Sequence, residues 1–151
     1  MTILEAMQAR HSVRSYKDTP LKTEDIKILQ NEIDACNKEG GLHIQLVTDE
    51  PTAFDSFMAH YGKFSGVRNY IALIGKKGAG LEEKLGYYGE RLVLLAQTLG
   101  LNTCWVAMTY SKIKTAFQID QGEKLCAVIA IGYGATQGSS HKSKPAEAVS
   151  H

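Results

Sequence analysis

The residue types that could do chemistry gather in one short stretch, Arg10-His11-Ser12-Val13-Arg14-Ser15-Tyr16, where two arginines and a serine alternate at positions 10, 12 and 14. In an extended backbone residues two apart point the same way, so Arg10, Ser12 and Arg14 can share one face. Two guanidiniums and a hydroxyl suit a phosphate or the acceptor-lined edge of a flat heterocycle, because arginine offers a rigid fork of donors. The same three residues would also make an ordinary solvated surface. A second basic stretch, His141-Lys142-Ser143-Lys144-Pro145, bears on the choice. Arg10, Arg14, Lys142 and Lys144 could meet around one anion. Two unit charges about 4 Å apart interact by roughly 4 kcal/mol at an effective dielectric near 20. Four converging cations therefore make physical sense only around an anionic ligand.

Other patterns carry less. Gly75-Lys76-Lys77-Gly78 lacks the spacing and the Ser or Thr of a P-loop. Gly132-Tyr133-Gly134-Ala135-Thr136-Gln137-Gly138 is one residue too long for G-x-G-x-x-G and opens no helix, so both read as turns. Cys36, Cys104 and Cys126 form no C-x-x-C pair and are odd in number, the pattern of reduced core thiols. No His/Cys spacing suggests a metal site, and the expected metal set is none. A cysteine hydrolase built on Cys104, with His43, His60 or His141 as base, would need an activated thiol, yet Cys104 lies in an apolar run where a thiol is usually inert.

The 151 residues suit one domain. Hydrophobic residues make up 44% and charged residues 22%, enough to bury a core. A formal net charge of +1 gives no general field for nucleic acid or an anionic membrane, so neither is expected as a partner. No apolar run is long enough to span a bilayer. Met1-Thr2-Ile3-Leu4-Glu5-Ala6 has neither the basic nor the apolar part of a signal peptide, and a cytoplasmic location is expected.

The elements that must position the cations follow from periodicity. Thr2 and Glu5 form a capping box before a helix from Ile3 to about Ala9. Thr23 is expected to cap a second helix with Ile26, Leu29, Ile33 and Cys36 on one face, ended by Gly40-Gly41. Leu42 to Thr48 alternates as a strand, Pro51 opens a short helix through Tyr61, and Asn69 to Gly75 is a strand apolar on both faces. Leu81 to Leu99 is the strongest helix, closed by Gly100. Its Gly86 and Gly89 each cost about 1 kcal/mol against alanine, which points to close approach of another helix or of a ligand. Thr103 to Ala107 reads as a short strand, Ser111 to Phe117 as a brief helix, Lys124 to Gly132 as a central strand and Gly132 to Ser143 as loop.

Four segments, in order, resemble the nitroreductase family. Arg10-His11-Ser12-Val13-Arg14 resembles its N-terminal motif. The helix Tyr87 to Leu99 with Gly100-Leu101-Asn102-Thr103-Cys104-Trp105 resembles its long helix and the G-L-x-T-C-W strand. Lys124 to Gly134 resembles the strand before its C-terminal phosphate contact, and His141 to Pro145 resembles its late basic segment. The resemblance implies an α+β, three-layer fold with a mixed central sheet flanked by helices, spanning 1–151 as one FMN-binding domain and forming a homodimer. It implies an FMN-dependent oxidoreductase that takes a hydride from NAD(P)H and passes electrons to nitroaromatics, quinones or similar acceptors in a ping-pong cycle. The alternative is a non-catalytic or sensory flavin-binding module of the same fold.

The resemblance also implies roles. Arg10, Lys142 and Lys144 would hold the phosphate, with Ser12 and His11 on phosphate or ribityl oxygens. Arg14 would face the pyrimidine edge of the ring, and backbone around Trp105, Val106, Ala107 and Met108 would line it. No side chain is expected to act as a catalytic acid, base or nucleophile, since the flavin carries the chemistry. One departure stands out. The Ala-Pro-Ser-x-x-Asn-x-Gln-Pro-Trp segment that follows the second helix in many members, and frames the flavin, is missing between Gly41 and Leu42. A subgroup places a similar segment after the late basic stretch, and the sequence ends at His151 before any such place. Either the sequence is a piece of a longer chain, or the protein dispenses with part of that frame.

Overall fold

The computed structural model describes residues 1–50, 64–106 and 117–135. Helix α1 (Ile3–Ala9) starts as its capping box requires, with the Glu5 backbone N–H donating to Thr2 Oγ1 at 3.1 Å. Helix α2 (Thr23–Gly40) takes Thr23 as its first helical residue, so the cap is Lys22 and no side chain fills that role. Gly41 ends it at φ +62°, a left-handed turn that a side chain would strain. Leu29, Ile33 and Cys36 are buried along one face as the periodicity demands, and each buried leucine or isoleucine contributes about 1.5–3 kcal/mol.

Strand β1 covers only Gln45–Val47. The ladder is interrupted before it because Asn37 clasps the Ile44 backbone. Its Oδ1 accepts from the Ile44 N–H at 2.7 Å, and its Nδ2 donates to the Ile44 carbonyl at 3.0 Å. Strand β2 (Tyr70–Lys76), helix α3 (Leu81–Thr98), strand β3 (Asn102–Val106) and strand β4 (Glu123–Gly132) follow. The order β1-β2-β4-β3 makes β4 and β2 the interior strands, and all three pairings are antiparallel. The register slips at Leu73/Ile74, so Cys126 on β4 is the extra residue of a bulge.

The N-terminal segment turns this into a mixed sheet. Ser12 bridges Thr103 in parallel, with the Val13 N–H donating to the Thr103 carbonyl at 3.0 Å. Alternate residues of β2 serve different cores, which explains its unbroken apolar sequence. Tyr70, Ala72 and Ile74 join Val13, Tyr16, Cys104 and Val106 on one face, while Ile71 and Leu73 join Leu29, Ile33, Leu85 and Leu92 of α2 and α3 on the other. The expected strand after Leu42 is therefore shortened, whereas β2, β3, β4 and α3 stand where periodicity puts them. The Pro51–Tyr61 and Ser111–Phe117 helices lie outside the described residues, apart from Phe117.

Candidate functional site

Position 10 is where α1 stops. Arg10 is its C-cap, in an extended conformation, with its N–H on the Ala6 carbonyl. From there the chain runs beside β3 and then leaves it. Val13 and Tyr16 turn into the core, while Arg10, His11, Ser12 and Ser15 are half-buried and Arg14 is exposed. The Arg14 carbonyl accepts from Ser65 N–H at 2.9 Å, and Tyr16 N–H donates to Ser65 O at 2.9 Å, so the segment is clamped by backbone on its far side. The Tyr16 ring lies across Gly132, where a Cβ would come within 3.0 Å of it, and its hydroxyl donates to the Val13 carbonyl at 2.5 Å. Burial pushes that phenol far above its ordinary range, with Cys104 adding to the rise and Arg14 opposing it, so Tyr16 stays neutral and fixes the bend.

The same bend receives the outgoing chain. Tyr16 bridges Gly134, Lys17 N–H donates to the Tyr133 carbonyl at 2.8 Å, and Ala135 N–H donates to the Ser15 carbonyl at 2.8 Å. Asn102 Oδ1 accepts from Gly134 N–H at 3.0 Å and holds the exit from β4. Ala135 is thus one hydrogen bond from the arginine segment, and Lys142 is only seven residues further along. Seven extended residues reach about 25 Å. Lys142 and Lys144 lie outside the described residues, as do His141, Ala107 and Met108.

Trp105 and Val106 part company. Val106 is buried in the core shared with Tyr16 and Phe117. Trp105 projects to the other face and packs against Gly89 of α3, where a Cβ would come within 2.5 Å of the ring. Gly89 is accordingly explained by a strand tryptophan, not by a neighbouring helix or a ligand, while a Cβ on Gly86 would meet open space. The indole N–H donates to Glu90 Oε2 at 3.0 Å, and Glu90 Oε1 stands 3.7 Å from Arg10 Nε. The structure therefore brings Arg10 and Trp105 together through Glu90, a residue the sequence reading passed over. Only its place beside Gly89 on α3 could have drawn notice.

Cys104 is 1% exposed, with its Sγ–H near the Trp105 carbonyl, so it is a core thiol without access to a substrate. Among the described residues one cluster has metal-ligand chemistry: His43, Asp120 and Glu123, within 4.8 Å of one another. It lies at the start of β4, about 30 Å along that strand from Gly132 at roughly 3.3 Å per residue. Its hydrogen bonds are already allotted. Gln45 Oε1 accepts from Gln118 N–H, which turns the Gln45 amide N–H towards His43 Nε2 at 3.2 Å. Nδ1 is then the protonated nitrogen and donates to Glu123 at 2.9 Å.

Residues 2–151 match the family model described as "Putative TM nitroreductase". The chain belongs to this nitroreductase family. No curated protein matches it. Solved structures share the fold. A nitroreductase-like protein from Streptococcus mutans aligns with TM-score 0.79 at 13% identity, covering 98% of this chain and 96% of its own. An FMN-dependent nitroreductase from Clostridium difficile aligns with TM-score 0.76 at 16% identity, covering 98% and 97%. A nitroreductase-fold protein from Desulfovibrio desulfuricans in complex with FMN aligns with TM-score 0.75 at 19% identity, covering 99% and 95%. The α+β nitroreductase fold expected from the N-terminal motif and the β3 sequence is thus the observed one. Among the described residues no helix is long and apolar enough to cross a membrane.

Proposed function

We propose that this nitroreductase-family chain is an FMN-dependent NAD(P)H oxidoreductase whose acceptors are nitroaromatics, quinones or similar small oxidants, reduced in a ping-pong cycle. The observation that carries the reading is the clamped bend at Ser15–Tyr16, which joins the arginine-bearing segment to the exit of β4 at Ala135, seven residues before Lys142 in the sequence. Family membership and the FMN complex of the Desulfovibrio relative support it. The donor set fits the cofactor. Two guanidiniums and a hydroxyl stand on one segment of a chain with almost no net charge, so the cations are a local device.

Bound FMN would supply the hydride and electron transfer. The protein's part is to bind and orient it. Arg10, Lys142 and Lys144 hold the phosphate, Ser12 and His11 contact phosphate or ribityl oxygens, Arg14 faces the pyrimidine edge, and backbone at Trp105, Val106 and Ala107 flanks the ring. A homodimer with a cytoplasmic location completes the proposal. A flavin-binding module without turnover is the second reading, favoured by one feature: α2 passes through Gly41 towards β1 with no framing segment between.

The test combines spectrum and turnover. The purified protein should show bound flavin absorbance and oxidise NADH or NADPH with a quinone or nitroaromatic acceptor. Flavin without turnover selects the module, and no flavin affinity ends both readings. Arg14→Ala should lower the midpoint potential of the bound flavin and slow acceptor reduction more than it weakens FMN, because a cation at the pyrimidine edge favours added electron density. An unchanged potential removes Arg14 from that edge.

A further inference from the structure

We infer that Glu90 is a positioning residue that orients Arg10 for the phosphate of FMN and anchors it to Trp105. The inference rests on the proposed phosphate role of Arg10. Gly89 lets the indole of Trp105 lie directly on α3, with a hypothetical Cβ only 2.5 Å from the ring. The indole is therefore wedged and its N–H has a fixed direction. Glu90 Oε2 accepts that N–H at 3.0 Å, which fixes the carboxylate in turn. The second oxygen, Oε1, faces Arg10 Nε at 3.7 Å. At 3.7 Å this is an ion pair and not a hydrogen bond; it biases the direction of the arginine stem while the terminal amino groups keep the fork geometry that suits a phosphate.

The pairing differs from that of the neighbouring arginine on this helix. Arg91, the next residue, spends its guanidinium on Glu32 and Glu39 of α2 and so joins helix to helix. Glu90 instead reaches the end of α1 and the middle of β3, the two elements that frame the proposed site. Its charge also opposes an incoming phosphate. The Glu90 side chain is 42% exposed against 17% for Arg10, so solvent screens that repulsion and the attraction to Arg10 alike, and the indole hydrogen bond is what keeps the carboxylate in place beside Arg10. Pre-ordering a rotamer-rich side chain is worth about threefold to tenfold in affinity.

The full chain is titrated with FMN and with riboflavin, which lacks the phosphate, while flavin fluorescence reports binding. The single tryptophan is Trp105, so its emission reads the Glu90 contact directly. Glu90→Ala should raise the Kd for FMN about threefold to tenfold and leave riboflavin within about twofold. Glu90→Gln keeps an acceptor for the indole but drops the charge, so it should keep the tryptophan emission and still lose part of the preference for FMN. In an Arg10→Ala background, Glu90→Ala should change nothing further. Equal losses for both ligands, an unchanged or tighter FMN Kd, or a full effect in the Arg10→Ala background would overturn the inference. If Arg10→Ala itself leaves the preference for FMN intact, the phosphate role of Arg10 fails and Glu90 falls with it. If Arg10→Ala abolishes the preference and Glu90→Ala does not touch it, only Glu90 falls.

Discussion

Single side chains set the electrostatics at both ends of the sheet. At the end away from the proposed site, burial raises the Glu123 carboxyl. Hydrogen bonds from His43 Nδ1 and from the Asp120 backbone N–H outweigh that, and the net value lies below its ordinary 4.5. A depressed carboxyl favours the folded state while it is ionised. Its contribution is present above the unfolded value and is lost as the pH falls through the folded one. Stability measured by urea unfolding should therefore decline below about pH 4.5, and Glu123→Gln should flatten that decline while lowering stability at pH 7. An unchanged pH profile would show that the ionised carboxylate gains nothing from His43. At the site end the arginines were legible, because charge and alternation are written in the chain. Glu90 was not, since its worth depends on a strand 15 residues later folding back onto it.

At the scale of elements, helix α3 is the piece against which the others are placed. It packs on α1, α2 and the sheet, and its stripe of Leu81, Leu85 and Leu92 was readable from 3.6-residue periodicity. The two glycines within it were harder to interpret. Gly89 serves the indole of Trp105, while Gly86 faces open space, and sequence alone gives the two the same weight. Gly89→Ala should destabilise the fold by about 1–3 kcal/mol, the range for overpacking against a rigid ring, and shift the Trp105 emission. Gly86→Ala should stabilise it by several tenths to about 1 kcal/mol through helix propensity. Thermal unfolding of the two variants checks the pair, and equal effects would contradict the packing described. Strand β1 shows the converse limit, for alternation ran from Leu42 to Thr48 while the Asn37 clasp on Ile44 shortened the ladder.

For the whole molecule, the exposed apolar surface is uneven. Helix α1 is seven residues long and leaves Ile3 64%, Leu4 72% and Met7 52% exposed, with Met1 beside them and Tyr87 of α3 at 67%. Such side chains on the helix that delivers Arg10 suit burial against a second copy, in keeping with the proposed homodimer. Leu4→Glu with Met7→Glu should shift sedimentation from dimer to monomer and weaken FMN binding along with it. A wild-type protein that sediments as a monomer at micromolar concentration would refute the homodimer.

The sequence by itself determined the family, the helical and strand segments with strong periodicity, and the cation-bearing stretch, because each rests on residues close together in the chain. Only the tertiary structure decided which groups meet. The backbone hydrogen bonds of Tyr16 with Ser65 and of Ser15 with Ala135 join positions 49 and 120 residues apart. The sharing of one carboxylate by Arg10 and Trp105 depends on α1, α3 and β3 packing together. Local pattern carries no record of such contacts, since they are fixed by how buried faces stack and not by the order of neighbours along the backbone.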